Sequence, residues 1–537
     1  MDLGIMRSLE ELIAEINVLG GTRKAEGEIT GICLDSREIK PGNLFVASTG
    51  TMFDGHAFIG QAVEKGAAAV VGSQPAERFS HLTVPYFQVE DPRKSAAQLS
   101  AAYHGYPGRE MVVVGVTGTD GKTTTTHFIF RILKEAGHET GMISTVNAVI
   151  GDQSVETGFH VTTPGPVHVQ RYLAQMVQAG MTHVVIEATS HGLAQKRVDG
   201  CAFDVAVVTN ITHEHLDYHG SYESYREAKA RLLKLAADRE GKSNIQSGWA
   251  VLNRDDSSYS FLCARAQELG LEILTYGMHQ GGDVQGHLVE QDASRMSFEI
   301  RGVQGGGRLE TTLIGEYNIY NALAAITACR GALGVEMAPV QRGIQNVSGI
   351  PGRMEGIDLG QDFSLIVDFA HTPNALRRAL HTANNLTRGR VIAVFGSAGL
   401  RDREKRRMMA EISAELADLT VLTAEDPRTE SLDEILQEMA GGVRSRGGKE
   451  GETFWRVPDR GRAIRFALEK ARPGDLVIIC GKGHEQSMCF GETEYPWDDR
   501  TASRAALADY LGILGPEMPY LPTRESPGPG SGEDLPS

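Results

Sequence analysis

One segment limits the possible folds more than any other: Met111–Phe130, MVVVGVTGTDGKTTTTHFIF. An unbroken apolar run passes through two glycines into a stretch with helical spacing. It reads as a buried strand, a tight turn and a helix, the unit from which parallel sheets with crossover helices are built. Gly118 and Gly121 let the backbone approach a ligand closely. The N–H groups of Thr119, Asp120 and the helix start at Lys122, Thr123 and Thr124 form a basin for an anion. Lys122 can reach the outer phosphates of a nucleoside triphosphate, and the Thr123 hydroxyl can ligate Mg²⁺. The commonest phosphate loop, G-x-x-x-x-G-K-[ST], needs glycine at position 116, where this chain has Val116. Alone, the segment says that a nucleoside triphosphate binds, and not what its energy drives.

The rest of the chain repeats the α/β pattern. MVVVGVTG, HVVIEATS, VAVVTNI, RVIAVFGS, LTVLTAED and DLVIICGKG read as buried strands with helical stretches between them. A chain of 537 residues exceeds one core, and 41% hydrophobic with 23% charged residues is a globular composition. Turn-rich stretches at AAYHGYPGREM and GIPGRMEGI divide it into residues 1–108, 109–350 and 351–515. The Pro/Gly/Ser-rich stretch 516–537 reads as a disordered tail. The expected fold is three α/β domains, the central one a mostly parallel sheet around the phosphate loop and the last dinucleotide-fold-like. Met1–Gly21 reads as an amphipathic helix and not a signal peptide.

A net charge of −16 argues against a nucleic-acid partner. The six cysteines contain no C-x-x-C pair, so neither a zinc knuckle nor a disulfide framework is expected. No apolar run reaches the ~20 residues of a membrane span. The chain reads as a cytoplasmic monomer.

The loop G-T-D-G-K-T-T occurs with DSREIKPGNLFVA, TTPGP, EATSHGLAQKR, TNITHEHLDYHGSYESYREAK, GEYNIYNALAA, PGRME, DFAHTPNAL, DPRTES and GKGHE in that order. This set resembles the Mur ligases, ATP-dependent enzymes that add amino acids to the peptide of bacterial cell-wall precursors. The nearest members add the third residue. The resemblance implies a reaction in which the substrate carboxylate takes the γ-phosphoryl group of ATP to form an acyl phosphate. The amine of the amino acid then displaces phosphate. It implies that residues 1–108 hold the UDP-sugar, 109–350 ATP, and 351–515 the incoming amino acid.

By the same resemblance, Mg²⁺ is held by Thr123, Glu187, His215 and Lys229, with Lys122, Lys229 and His215 the catalytic groups. Glu187 ends an apolar run, where open α/β sheets bind ligands. Lys229, in ESYREAKARLLK, reads on composition alone as one more solvated lysine; the resemblance makes it a carbamylated lysine, an anion suited to a site beside Mg²⁺. Asn318 and Asn321 begin a helix and fit the adenine side. Arg353 and Asp368 would close over ATP from the third domain. Ser36, Thr162, Thr163, Ser190, Gln195 and Arg197 fit contacts to the UDP-muramoyl-peptide, Arg197 being suited to a carboxylate.

For the incoming amino acid the resemblance points to Arg401, Asp426, Pro427, Arg428, Gly481 and Glu485. Members that add meso-diaminopimelate typically carry D-N-P-R; here the run is Glu425-Asp426-Pro427-Arg428. Arg428 suits the distal carboxylate of diaminopimelate. Two acids would instead suit the distal ammonium of L-lysine or L-ornithine. Meso-diaminopimelate is the favoured third residue, joined to UDP-MurNAc-L-Ala-D-Glu. Leu400 stands where the family usually has an acid. A folylpolyglutamate-synthetase-like ligase and an inactive scaffold homologue are the competing readings.

Overall fold

The computed structural model describes residues 5–50, 54–155, 163–212, 216–238, 241–242, 247–291, 295–302, 305–347 and 349–525. Thr162 and His215, both expected at the site, lie outside the described residues. Each of three consecutive stretches of chain builds its own sheet.

The first sheet runs, edge to edge, through Val18–Gly21, Tyr86–Val89, Ala69–Gly72, Asn43–Val46 and Gly31–Cys33, parallel except for its first strand. That strand corrects the expectation of one long N-terminal helix. Among the described residues of that stretch only Leu9–Ala14 is helical, and Val18–Gly21 pairs antiparallel with Tyr86–Val89. Gly20 and Gly21 are poor helix formers, and pairing there covers an otherwise open sheet edge.

The central sheet has eleven strands among the described residues. Val112–Thr117 lies between His183–Glu187 and Val205–Val208, parallel to both. Trp249–Asn253 and Glu272–Gly277 extend the parallel part. Val113, Val114 and Val116 are buried, and so are Val184–Glu187 and Val205–Val208. Separate apolar clusters cover the two faces, which is why these strands lack an apolar/polar alternation. Helix Lys122–Glu135 follows the first of them. An antiparallel meander, Val284–Gln291, Met296–Gly302 and Gly307–Thr311, adds to the far edge.

The third sheet orders Glu355–Ile357, Ser364–Asp368, Leu476–Cys480, Val391–Phe395, Leu419–Leu422 and Phe454–Arg456. All are parallel except the first, and all six expected strands of the chain are strands. The chain beyond 515 departs from the disordered tail expected there. Leu521 is buried against the third core, the Thr523 hydroxyl donates to Asp459 at 2.9 Å, and Arg462 donates to the Arg524 carbonyl at 3.0 Å. Met518 and Leu521 supply the apolar anchors that composition averaging hid, and the prolines lower the entropy cost of ordering the strap. Residues 526–537 lie outside the described residues. Among the described residues no helix is long and apolar enough to cross a membrane.

Candidate active site

The phosphate loop sits at the C-terminal edge of Val112–Thr117, between two parallel neighbours, the place where open α/β sheets bind ligands. Thr209 and Asn210, at the end of the adjacent strand, hold it open. The Asp120 carbonyl accepts from the Thr209 hydroxyl at 2.7 Å and from the Asn210 amide at 3.0 Å; the Asp120 and Thr119 N–H groups donate back to Asn210. Neither residue was expected, although both stand where the sheet rule places ligand-facing groups. Gly118 has φ 151° and Gly121 φ 81°. A Cβ would lie 1.8 Å from the Thr209 hydroxyl at Gly118 and 2.0 Å from the Asn321 carboxamide oxygen at Gly121, so both positions exclude side chains. With no side chains at these positions, the loop forms a cradle whose backbone stays open to an approaching group.

Thr123, in the first turn of the following helix, donates to both Glu187 oxygens at 3.0 and 3.1 Å, and the Thr145 N–H donates to the same carboxylate at 3.1 Å. Both side chains are buried. A hydroxyl and a carboxylate at the phosphate end of the cradle are the hard oxygen donors that Mg²⁺ takes. Among the described residues no group of three or more His, Cys, Asp or Glu side chains forms a metal cluster. Lys229 lies on helix Tyr222–Ala237 and is 2% exposed, against the solvated position its charged neighbours imply. Its Nζ donates to the Gly118 carbonyl at 2.5 Å and sits 4.6 Å from the Tyr225 ring centre. The Lys122 ammonium donates to the Thr119 carbonyl at 2.8 Å, a contact within the loop itself.

A cavity of about 690 Å³ opens beside the loop, between the central sheet and the third domain. Asp120, Gly121, Thr124, Asn318, Asn321, Arg353 and Asp368 line it, so seven residues expected at ATP meet there. Tyr317, Tyr320 and Arg378 line it too and were not expected. Arg378 pairs with Asp120 at 3.2 Å across the mouth, and Arg353 donates to Thr123 at 3.3 Å. Asn321 donates to Asn318, which in turn donates to the Ile314 carbonyl; the pair is a fixed buried unit, not a helix cap. The Asp368 carboxylate accepts from the N–H groups of Met354 and Ala370 at 2.8 Å each. Burial pushes its pKa up, with Arg353 acting against the shift.

On the other side of Glu187, the Thr163 hydroxyl donates to the Glu187 carbonyl at 3.1 Å, and Arg197 donates to the Thr163 carbonyl at 2.7 Å and to the Gln195 side chain. Ser190 is buried beside them in helix Ser190–Ala194. Ser36 stands apart on the first domain, donating to Gln61 at 2.8 Å.

The third domain gathers the remaining expected residues at the C-terminal edge of its sheet. Arg428 has φ 54°, its backbone is fastened to Cys489 and Gly491, and its buried Nε has no hydrogen-bond partner. The Asp426 carboxylate is turned inward: it accepts from the Lys482 ammonium at 3.0 and 3.1 Å and from the Cys489 N–H at 3.0 Å. Lys482 also pairs with Glu485. Burial opposes the charge on Lys482, but Glu485 and Asp426 together outweigh it and hold its pKa above the ordinary lysine value. The expectation that both acids of the E-D run face an incoming ammonium therefore loses one of them, because Asp426 is neutralised internally. The Gly481 N–H donates to the Asp368 carbonyl at 3.2 Å, so this edge adjoins the cavity that Asp368 lines. Pro427 packs under Gly399, and Arg401 is exposed.

Comparisons with known proteins match three successive stretches of the chain. Residues 28–104 match the Mur ligase family catalytic domain, 116–329 the Mur ligase middle domain, and 352–483 the Mur ligase glutamate ligase domain. A UDP-N-acetylmuramyl-tripeptide synthetase of Roseiflexus sp. (strain RS-1) is 44% identical over 493 residues, 91% of this chain and 96% of that protein. A UDP-N-acetylmuramoyl-L-alanyl-D-glutamate--2,6-diaminopimelate ligase of Geobacillus thermodenitrificans (strain NG80-2) is 40% identical over 501 residues, 93% of this chain and 99% of that protein. A solved structure of a ligase of the same description superposes with a TM-score of 0.64 at 29% identity, covering 95% of this chain and all of that one. The chain thus has relatives along nearly its whole length, and it belongs to the Mur ligase family.

Proposed function

We propose that the chain is an ATP-dependent, ADP-forming ligase that joins meso-diaminopimelate to UDP-MurNAc-L-Ala-D-Glu in the cytoplasm. The observation that carries this reading is the junction of the cradle, the Thr123–Glu187 pair and buried Lys229 at one sheet edge, next to an edge of the third domain that bears an unpartnered arginine nitrogen. The names of the relatives at 44% and 40% identity support it.

The residues divide the work. The loop N–H groups and the helix start bind phosphates, Lys122 shifts from the Thr119 carbonyl to the outer phosphates, and Thr123 with Glu187 would hold Mg²⁺. When bound, ATP supplies the phosphoryl group that activates the substrate carboxylate, and Mg²⁺ offsets the charge that builds up. Arg197, Thr163 and Ser190 orient the peptide end of the UDP-sugar so that its carboxylate faces the cradle. Arg353 and Asp368 close the nucleotide side and exclude water, which would otherwise hydrolyse the activated carboxylate. Arg428 takes the distal carboxylate of diaminopimelate and so aims its amine at the acyl carbon.

Lys229 is carbamylated in this reading. The carbamate keeps one N–H, which can continue to donate to the Gly118 carbonyl while its two oxygens add negative charge beside the metal. Lys229→Ala is expected to lose most activity and to regain part of it with a short-chain carboxylate; full activity without the additive refutes carbamylation.

The deciding experiment is phosphate release from ATP with UDP-MurNAc-dipeptide and, in turn, meso-diaminopimelate, L-lysine and L-ornithine. Release with the first alone is the expected result. Release with lysine or ornithine reassigns the amino acid, release with folate plus glutamate reassigns the substrate class, and no release in any mixture points to an inactive scaffold.

A further inference from the structure

The turn at Leu400 is the one departure from the family pattern that the reaction leaves unexplained. Leu400 is 59% exposed and left-handed, with φ 55°, a conformation that bulky residues adopt only when their surroundings impose it. The surroundings are specific. The Leu400 N–H donates to Glu430 Oε1 at 2.5 Å, and Glu430 Oε2 accepts from Arg406 at 2.7 Å. The Arg406 side chain is fully buried and also donates to Glu438 at 3.0 Å and to the Ala398 carbonyl at 3.3 Å. Burial works against the charge of Glu430, but the Leu400 N–H and Arg406 outweigh it and hold its carboxyl below the usual range.

The same loop leans on the turn that carries Arg428. The Gly399 N–H donates to the Asp426 carbonyl at 2.9 Å, and a Cβ at Gly399 would lie 2.0 Å from the Pro427 carbonyl oxygen. Arg428 is the second left-handed non-glycine residue here, so two constrained turns are pressed backbone to backbone.

We propose that the Arg406–Glu430 ion pair is a positioning element for the incoming amino acid: it locks residues 398–401 onto the turn 426–428 and so sets the spacing between the guanidinium groups of Arg401 and Arg428. This rests on the reading of those two arginines as amino-acid ligands. Arg406 and Glu430 act through the loops and do not touch the substrate. The loop is gripped by the backbone N–H of residue 400, so an acidic side chain there is dispensable, which accounts for leucine.

The test is steady-state kinetics of the full chain with each substrate varied in turn. Glu430→Ala removes the acceptor of the Leu400 N–H and is expected to raise KM for the amino acid about tenfold. Glu430→Gln keeps an oxygen for that N–H and should fall between the unaltered chain and Glu430→Ala. KM for ATP and for the UDP-sugar should stay within about twofold in both. Leu400→Gly, which relaxes the turn and keeps the N–H, should leave the amino-acid KM within the same margin. A uniform rise in all three KM values, or a change confined to kcat, overturns the proposal. Arg401→Ala and Arg428→Ala run alongside: if neither raises the amino-acid KM, the underlying reading fails and the proposal with it; if they do and Glu430→Ala does not, the proposal alone fails. Should Glu430→Ala unfold below the assay temperature, Glu430→Gln decides by the same criteria.

Discussion

Replacing Asp426 with asparagine separates two things that the sequence confounds, domain stability and amino-acid choice. The carboxylate lies 3.0 Å from the Lys482 ammonium, and the lysine side chain is fully buried. Stripping a buried charge of its partner outright costs about 3–5 kcal/mol. Lys482 keeps Glu485, and an asparagine oxygen can still accept from the Cys489 N–H, so the expected loss is nearer to about 2 kcal/mol. For a domain of this size each kcal/mol lowers the transition by about 2–4 °C, which makes the expected fall about 4–8 °C in scanning calorimetry. Because the lost charge faces Lys482 and not the substrate, preference among meso-diaminopimelate, L-lysine and L-ornithine should not change. An unaltered melting temperature, or a shift in preference of more than about tenfold, refutes the argument that Asp426 is spent internally.

Three further outcomes are expected. Gly121→Ala drives a Cβ to within 2.0 Å of Asn321 at φ 81°, so titration calorimetry should find ATP binding weakened by about a hundredfold, while a fall below threefold contradicts the cradle. Arg378→Met removes the 3.2 Å pair with Asp120 across the cavity mouth; both partners are part-exposed, so ADP affinity should drop only about threefold, and the difference should vanish in high salt. Burial holds His104 and His183 at about 4, and also pushes His127 and His484 down from 6.5. The unfolded chain therefore binds more protons below pH 6.5, and these groups withdraw stability as pH falls from 6.5 towards about 4. A urea midpoint that stays flat through that window contradicts this sign.

The sequence revealed what rests on local pattern. Six apolar runs became strands because parallel strands are buried on both faces and leave an uninterrupted apolar signature. The cradle was legible because its glycines and lysine are adjacent in the chain. Lys229 was legible only by resemblance: its helix is rich in charge, and burial against Gly118 arises from a contact 111 positions away. Arg378 leaves no signal, since it acquires its meaning from a loop in another part of the chain, and the GKGHE run that contains Lys482 does not reveal its pairing with Asp426. The meander at 284–311 carries a period-two pattern, in MSFEIRG above all, unlike the unbroken apolar runs of the parallel strands. In the N-terminal stretch the amphipathic spacing of Leu9–Ala14 runs on towards Val18–Gly21, whose strand character comes from a pairing partner about seventy residues on.

The strap after residue 515 bears on how the enzyme is best handled. Leu521 fills a place in the third core, while Thr523 and Arg524 fasten to Asp459 and Arg462 at the start of helix Arg460–Lys470. Trimming the chain at 515 for crystallisation would vacate a leucine-sized hole, a loss of about 2–5 kcal/mol before the lost hydrogen bonds are counted. A purification tag or fusion partner therefore belongs beyond Glu525, and a truncated preparation that precipitates would reflect an emptied core and not a fault of catalysis.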